Sequence, residues 1–254
     1  MDPRRIFGER AEEYAKFRPR YPREAIDIVR RIVPLVDKSV IADLGSGTGI
    51  FSESLIDAGY NVIGIEPDRL MRQACIEILG TNLKFSCVDG SAEATGLPPE
   101  SVDAVTAAQS FHWFDPMKSR VEIERILKVG GQVILLWNER RSNGSLFLEA
   151  LDRLLNQMLD QHGGEVSAYD VPPKSIAKAL FGQSRFATSS CRNRQVLNKI
   201  GFIGRVMSSS YAPVASDARF GLWRDALEQL YLKYRSQDAV TIEYDTVVIY
   251  GSLA

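Results

Sequence analysis

The stretch Val40-Ile-Ala-Asp-Leu-Gly-Ser-Gly-Thr-Gly49 is an apolar run that reaches Asp43 and then enters a loop with glycine at 45, 47 and 49. Glycines at that spacing let the backbone turn sharply and come close to a ligand, at the carboxyl end of the first strand of an open α/β sheet. A dinucleotide loop reads G-x-G-x-x-G and would put its third glycine at position 50. Ile50 stands there instead. The spacing is therefore G-x-G-x-G, with an acidic residue two places before the first glycine.

Outward from this loop, strand and helix signals alternate over the first 140 residues, the pattern of a parallel sheet covered on both faces. Apolar residues at helical spacing predict a helix over 25–36, ahead of the first strand. A helix is expected over 51–58, stopped by Gly59, and a second strand over 61–66. Asp68 is placed to cap a helix that carries Leu70, Met71, Ala74, Ile76 and Leu79 and stops at Gly80. Strands follow at 83–88 and 102–108. Asp115-Pro116 reads as a cap and first-turn proline of a helix ending before Gly130-Gly131, with a fifth strand at 132–137. From about Asn138 the next strand is delayed by some forty residues of helical sequence, so a helical insertion is expected over 138–186. It carries an apolar stripe of Leu146, Leu148, Leu151, Leu154, Leu155 and Met158, broken by Gly163-Gly164 and Pro172-Pro173. Such a stripe is first of all core. Strands are placed at 187–197 and 239–250 and helices at 200–208 and 215–234. No internal repeat or low-complexity linker is visible.

The 254 residues are 45% hydrophobic and 25% charged, an ordinary globular composition. Cys75, Cys87 and Cys191 are widely spaced and odd in number, and form neither a disulfide framework nor a zinc signature. The charged N-terminus lacks an apolar segment suited to secretion, and no apolar run approaches the roughly 20 residues of a membrane helix. A cytoplasmic location without a membrane partner is expected. A net charge of −1 gives no global field toward nucleic acid. Two local basic clusters, Arg4, Arg5, Arg10, Lys16, Arg18, Arg20 and Arg23, then Arg192, Arg194, Lys199 and Arg205, read as solvated surface or as anion recognition.

The nucleoside side of a site can be assembled from strand ends. Glu66 follows Gly45 by 21 residues and closes the second strand, where a carboxylate can accept hydrogen bonds from both hydroxyls of a ribose. Asp89, in Val88-Asp-Gly-Ser91, closes the third strand in a tight turn that could present its carboxylate to an adenine amino group. Either acid alone is unspecific. The ordered set Asp43, Gly45, Gly47, Gly49, Glu66 and Asp89 is much less so.

That set resembles the first motifs of class I S-adenosylmethionine-dependent methyltransferases. The likeness extends along the chain. Phe7 to Pro22, with its Arg18-Pro and Tyr21-Pro pairs, resembles the opening of a small-molecule subfamily related to trans-aconitate methyltransferase. Gln109-Ser-Phe-His-Trp-Phe-Asp115, Trp137-Asn138 and Ser208-Ser-Ser-Tyr-Ala-Pro213 are similar to the same group. Lys128-Val-Gly-Gly131 departs from it, since a proline usually precedes the glycine pair. The resemblance implies a Rossmann-like, doubly wound, seven-stranded and mostly parallel sheet with an antiparallel last strand and a helical cap. A single domain 1–254 is expected, divided into an N-terminal lid and helix (1–36), a cofactor core (37–137), the insertion (138–186) and C-terminal strands and helices (187–254).

The resemblance further implies S-adenosylmethionine as cofactor and S-adenosylhomocysteine as product. Tyr14, Arg18 and Tyr21 would form a lid, with Arg18 facing the cofactor carboxylate and tyrosine faces near the cationic sulfonium. Asp43, Gly45, Ser46, Gly47, Gly49, Glu66, Pro67, Asp89, Gly90 and Ser91 would hold the nucleoside and loop side, and Gln109 and Ser110 the methionine. His112, Trp113 and Trp137 are expected near the acceptor. His112 is either a general base toward a hydroxyl or a structural histidine. Toward an ionised carboxylate no base is needed, and Arg18, Arg192 or Arg194 would matter as charge partners.

Absences narrow the acceptor. The Asn/Asp/Ser-Pro-Pro-aromatic motif used on exocyclic amines of bases is replaced by Gln109-Ser-Phe-His112, and no cysteine follows a proline. A small-molecule oxygen acceptor, carboxylate or hydroxyl, is expected rather than nucleic acid. Its pocket would be lined by the N-terminal segment and the 138–186 insertion. Only two histidines exist, His112 and His162, and no histidine–carboxylate cluster argues for a metal. A NAD-dependent oxidoreductase shares the fold and Glu66, but Ile50 and the Asp89 turn count against it. A non-catalytic cofactor- or partner-binding protein is a third reading. The stripes at 146–159 and 216–234 suit a monomer's core or a homodimer.

Overall fold

The computed structural model describes residues 10–36, 39–160 and 173–253. Arg4, Arg5, Phe7, His162, Gly163, Gly164 and Pro172 lie outside the described residues. The chain runs α1 (Ala11–Phe17), α2 (Arg23–Ile32), β1 (Val40–Leu44), α3 (Ile50–Asp57), β2 (Asn61–Ile65), α4 (Arg69–Leu79), β3 (Phe85–Val88) and β4 (Val102–Ala108). There follow α5 (Pro116–Ile126), β5 (Leu127–Arg140), α6 (Leu146–Asp160), α7 (Pro173–Phe181), β6 (Phe186–Leu197), α8 (Lys199–Met207), α9 (Phe220–Tyr234) and β7 (Val240–Gly251).

The strands form one seven-stranded sheet in the order β3-β2-β1-β4-β5-β7-β6. Pairing is parallel from β3 through β5, and β7 is antiparallel to both of its neighbours. The expected doubly wound sheet with an antiparallel last strand is therefore present. From β1 the chain winds outward to β3 and then returns to β4 on the other side of β1. This reversal opens a crevice at the carboxyl ends of β1 and β4.

Alternation along the central strands fills two cores. On β5, Ile134 and Leu136 pack with α2, α3 and α4, whereas Val133, Leu135 and Trp137 pack with α5 and α7. Full burial of each such aliphatic side chain contributes about 1.5–3 kcal/mol. Local signals set most helix starts. Asp68 accepts from the N–H groups of Leu70 and Met71 at the start of α4, and Asp115 does the same for Met117 and Lys118 ahead of Pro116.

Several boundaries differ from the sequence reading. Helix α2 stops at Ile32 rather than 36, because the residue before Pro34 is pushed out of helical geometry. Strand β3 starts at Phe85 rather than 83, α5 ends at Ile126 well short of the glycine pair, and α9 starts at Phe220 rather than 215. Strand β5 is far longer than 132–137. Its end, Asn138 to Arg140, is extended because it pairs with Thr246 to Tyr244 of β7.

The helices of 138–186 go to different places. Helix α6 joins α8 and α9 in a third core, on the part of β6 and β7 that projects past the carboxyl edge of the sheet. Helix α7 instead covers the sheet face beside α5, where Arg120 donates to Leu180 O (2.9 Å) and Phe181 O (2.8 Å) at its carboxyl end. The cap is thus α6, α8 and α9, drawn from both sides of β6.

Candidate active site

The glycine loop crosses the carboxyl end of β1 with Gly45, Gly47 and Gly49 all at positive φ. Their reasons differ. A Cβ on Gly45 would lie 2.7 Å from that of Ser110, so this glycine admits the loop after β4. Gly49 starts α3, and its Cβ would meet Leu79 Cδ1 at 2.7 Å and Cys75 Sγ at 2.8 Å, so it serves packing against α4. Gly47 has φ of +56° and no atom within 4 Å of where a Cβ would stand. It forms an open floor of the crevice.

Two carboxylates brace this loop. Asp43 is 1% exposed and accepts from Ser52 Oγ (2.7 Å) and Thr106 Oγ1 (2.9 Å). Burial pushes its pKa up to about 6 against those two hydroxyl bonds. Glu66 closes β2 and accepts from Gly47 N–H through Oε2 and from Asp68 N–H through Oε1, both at 2.8 Å. Burial raises it to about 7 despite these bonds.

The crevice has two lobes that meet at Tyr14, Gly45, Gly47 and Gln109. The outer lobe holds about 480 Å³, within the range of small-ligand sites, and is lined by Glu66, Pro67, Met71, Ser91, Ser110, Trp113 and Phe114 among others. The smaller inner lobe lies between Asp43, Ser46 and Gly47 on one side and Arg18, Pro19 and Tyr21 on the other. Gln109, at the join, holds φ of +57°, a conformation uncommon outside glycine and asparagine. Its N–H donates to Leu136 O and its Nε2 to Asn138 O (3.2 Å).

Tyr14, Arg18, Pro19 and Tyr21 of the N-terminal segment line the inner lobe. The Arg18 guanidinium lies 4.7 Å from the centre of the Tyr14 ring and donates through Nη2 to Ser208 O (3.0 Å), while its buried Nε has no partner. Tyr21 packs edge-on to Phe51 at 4.7 Å, and burial raises its hydroxyl pKa strongly. Arg10 fastens the start of α1 to the carbonyls of Ser209 (2.5 Å) and Ala212 (2.6 Å).

Of the residues singled out from sequence, the crevice collects Tyr14, Arg18, Tyr21, Asp43, Gly45, Ser46, Gly47, Glu66, Pro67, Ser91, Gln109, Ser110 and Trp113. Gly49, Asp89, Gly90, His112 and Trp137 line neither lobe. The Asp89 carboxylate is 71% exposed and paired with Arg72 (2.9 Å), and a Cβ on Gly90 would strike Thr95 O at 2.8 Å. Trp137 Nε1 donates to Nδ1 of His112 (3.4 Å). Burial, then the nearby Arg18 charge, lowers its pKa to about 4, so it is a neutral imidazole at pH 7. Arg192 pairs with Asp245 (3.1 Å), and both it and Arg194 are exposed. Neither lines either lobe. No residue of 138–186 lines either lobe. Met71, Glu93, Phe114 and Lys118 do so without having been singled out. Met71 and Lys118 lie in the first turns of α4 and α5, a position that points at any ligand lying across strand ends and that could have identified them.

Comparison with known proteins fits this geometry. Residues 42–135, from the middle of β1 to β5, match the family described as methyltransferase domain. This stretch is similar to a methyltransferase domain. Over 135 residues this chain is 37% identical to uncharacterized methyltransferases of Mycobacterium bovis and Mycobacterium tuberculosis, covering 53% of this chain and 52% of theirs. The chain thus spans about half the length of the curated relatives it matches. Among solved structures, a candidate type II methyltransferase from Anaeromyxobacter dehalogenans superposes with a TM-score of 0.69 at 21% identity, covering 93% of this chain and 98% of that one. A candidate methyltransferase of an antibiotic biosynthesis pathway from Anabaena variabilis gives 0.62 at 20% identity, over 91% and 98%. Both share this fold along nearly the whole chain. Among the described residues no helix is long and apolar enough to cross a membrane, and no cluster of three His, Cys, Asp or Glu could hold a metal ion.

Proposed function

We propose that the protein transfers a methyl group from S-adenosylmethionine to an oxygen of a small-molecule acceptor by in-line displacement. The observation that carries this reading is the pairing of Gly47, open to the crevice at positive φ, with the buried carboxylate of Glu66. A carboxylate has about four acceptor positions, and two are used by Gly47 and Asp68. The other two suit the two hydroxyls of a ribose. Arg18 Nε, buried and unpaired at the inner lobe, suits the carboxylate of an amino acid. The outer lobe would therefore take the nucleoside between Pro67, Met71 and Phe114, and the inner lobe the amino-acid end. The likeness of the N-terminal segment to the trans-aconitate subgroup supports a small acceptor.

When bound, S-adenosylmethionine supplies a methyl group already activated on a sulfonium. The protein's task is then alignment and exclusion of water. Tyr14 and Gln109, at the join of the lobes, are placed to border the transferring carbon. Tyr14, Arg18 and Tyr21 close the inner lobe from above. His112 is held by Trp137 as a neutral spacer under Arg18 and is not required as a base.

Gly47→Asp tests the assignment. It puts four heavy atoms, three of them a carboxylate, into the floor of the crevice beside Glu66, so affinity for S-adenosylhomocysteine should fall at least about a hundredfold, near 2.7 kcal/mol. A folded Gly47→Asp protein with unchanged affinity would remove the cofactor from this loop.

A further inference from the structure

Beside the inner lobe, polar contacts close into a ring on the sheet face that carries α2 and α3. From Gln109 the ring passes to Asn138, whose Oδ1 accepts from Thr246 Oγ1 (2.6 Å) and Asn193 Nδ2 (3.1 Å). Asn193 also donates to Arg20 O (2.7 Å). Two residues along β6, Gln195 donates to Phe17 O (3.1 Å) and accepts from the Tyr244 hydroxyl (2.8 Å). Arg205 donates to that hydroxyl (3.0 Å) and to Ser209 Oγ (3.3 Å), and Arg18, bonded to Ser208 O, returns the ring to the lobe.

Buried donors here exceed acceptors. The two donors received by Asn138 Oδ1 fix its amide with Nδ2 turned the other way, buried and without a partner. Arg140 is two residues further on β5 and on the same face. Its Nη2 pairs with Asp152 (2.7 Å), but its Nη1 is buried and unpaired. Among the described residues Arg205 has no carboxylate within ion-pairing range. Unsatisfied buried donors call for an explanation, and two of them beside a cation suit an anionic acceptor of hydrogen bonds.

We propose that these donors form the acceptor subsite, binding a carboxylate of the methyl acceptor through Asn138 Nδ2 and Arg140 Nη1 in the field of Arg205. The proposal rests on the methyl-transfer reading above. An amide N–H beside a guanidinium suits a planar carboxylate, and a neutral carboxamide offers one acceptor oxygen where two are wanted. Arg18 marks the border with the cofactor's own carboxylate.

The experiment is calorimetric titration of the S-adenosylhomocysteine-loaded protein with benzoate and succinate, with benzamide and succinamide as neutral matches and phenyl phosphate as a third arm. At least one acid should bind about tenfold or more tighter than its amide. Asn138→Asp, which adds a negative charge at almost constant volume, and Arg140→Gln should each weaken acid binding about tenfold while leaving S-adenosylhomocysteine affinity unchanged. Equal or absent binding of acids relative to amides, preference for phenyl phosphate, or acid binding undisturbed in both variants would overturn the proposal. Failure of the wild-type protein to bind S-adenosylhomocysteine would instead overturn the cofactor reading beneath it.

Discussion

Glu66 is both buried and half committed, since two of its acceptor positions are filled by backbone N–H groups and its pKa is raised to about 7 by burial. Ribose hydroxyls favour its ionised form, so nucleoside binding should release a proton. Affinity for S-adenosylhomocysteine should accordingly rise about tenfold from pH 6 to pH 8 and level off above the folded pKa. Calorimetry across that range measures it, and Glu66→Gln should remove most of the slope, leaving only a smaller contribution from Asp43. In the ligand-free protein a raised carboxyl pKa means that the folded state keeps a proton the unfolded chain has lost. The stability this proton confers is present at low pH and is lost between about 4.5 and 7. Glu66 was legible in the sequence because a strand end is a local event, 21 residues from a glycine loop. Asn138 and Arg140 were not, because their partners Thr246, Asn193 and Asp152 are set by pairing and packing of distant segments. Strand parity explains why Arg192 and Arg194 line neither lobe. Cys191, Asn193 and Gln195 face inward along β6, so the residues between them face out.

Helix α1 reaches the crevice only because α8 admits it. A Cβ on Gly204 would stand 2.4 Å from Phe17 Cε2, so this glycine sets how closely the lid segment docks on the cap. Gly204→Ala should favour helix α8 itself by up to about 1 kcal/mol while displacing Phe17 and with it Arg18. Overpacking against Phe17 costs about 1–3 kcal/mol, so the expected outcome is a folded protein no more stable in urea, with S-adenosylhomocysteine affinity lowered about tenfold. Unchanged affinity would mean that the lid seats without this contact. Elements with local punctuation, such as α4 after Asp68 and α5 after Asp115-Pro116, were readable to within a residue at their starts. The end of β5 was not, since Asn138 to Arg140 carries no strand pattern and is extended by β7. The division of 138–186 between cap and sheet likewise depends on which face each apolar stripe meets.

At the scale of the molecule, the parallel half of the sheet supplies the crevice proposed for the cofactor, and the antiparallel end carries the cap and the polar ring. Both meet under the N-terminal segment. A ligand in the inner lobe would touch the N-terminal segment at Tyr14 and Arg18 and the sheet at Gln109, and it reaches the end of α8 only through the Arg18 bond to Ser208 O. Calorimetric titration of the whole protein with S-adenosylmethionine, S-adenosylhomocysteine and NADH in parallel bears directly on this arrangement. Micromolar affinity for both sulfur nucleosides, about −8 kcal/mol, with no heat from NADH, is expected. Binding of NADH alone, or of none of the three, would contradict methyl transfer as the function of this site.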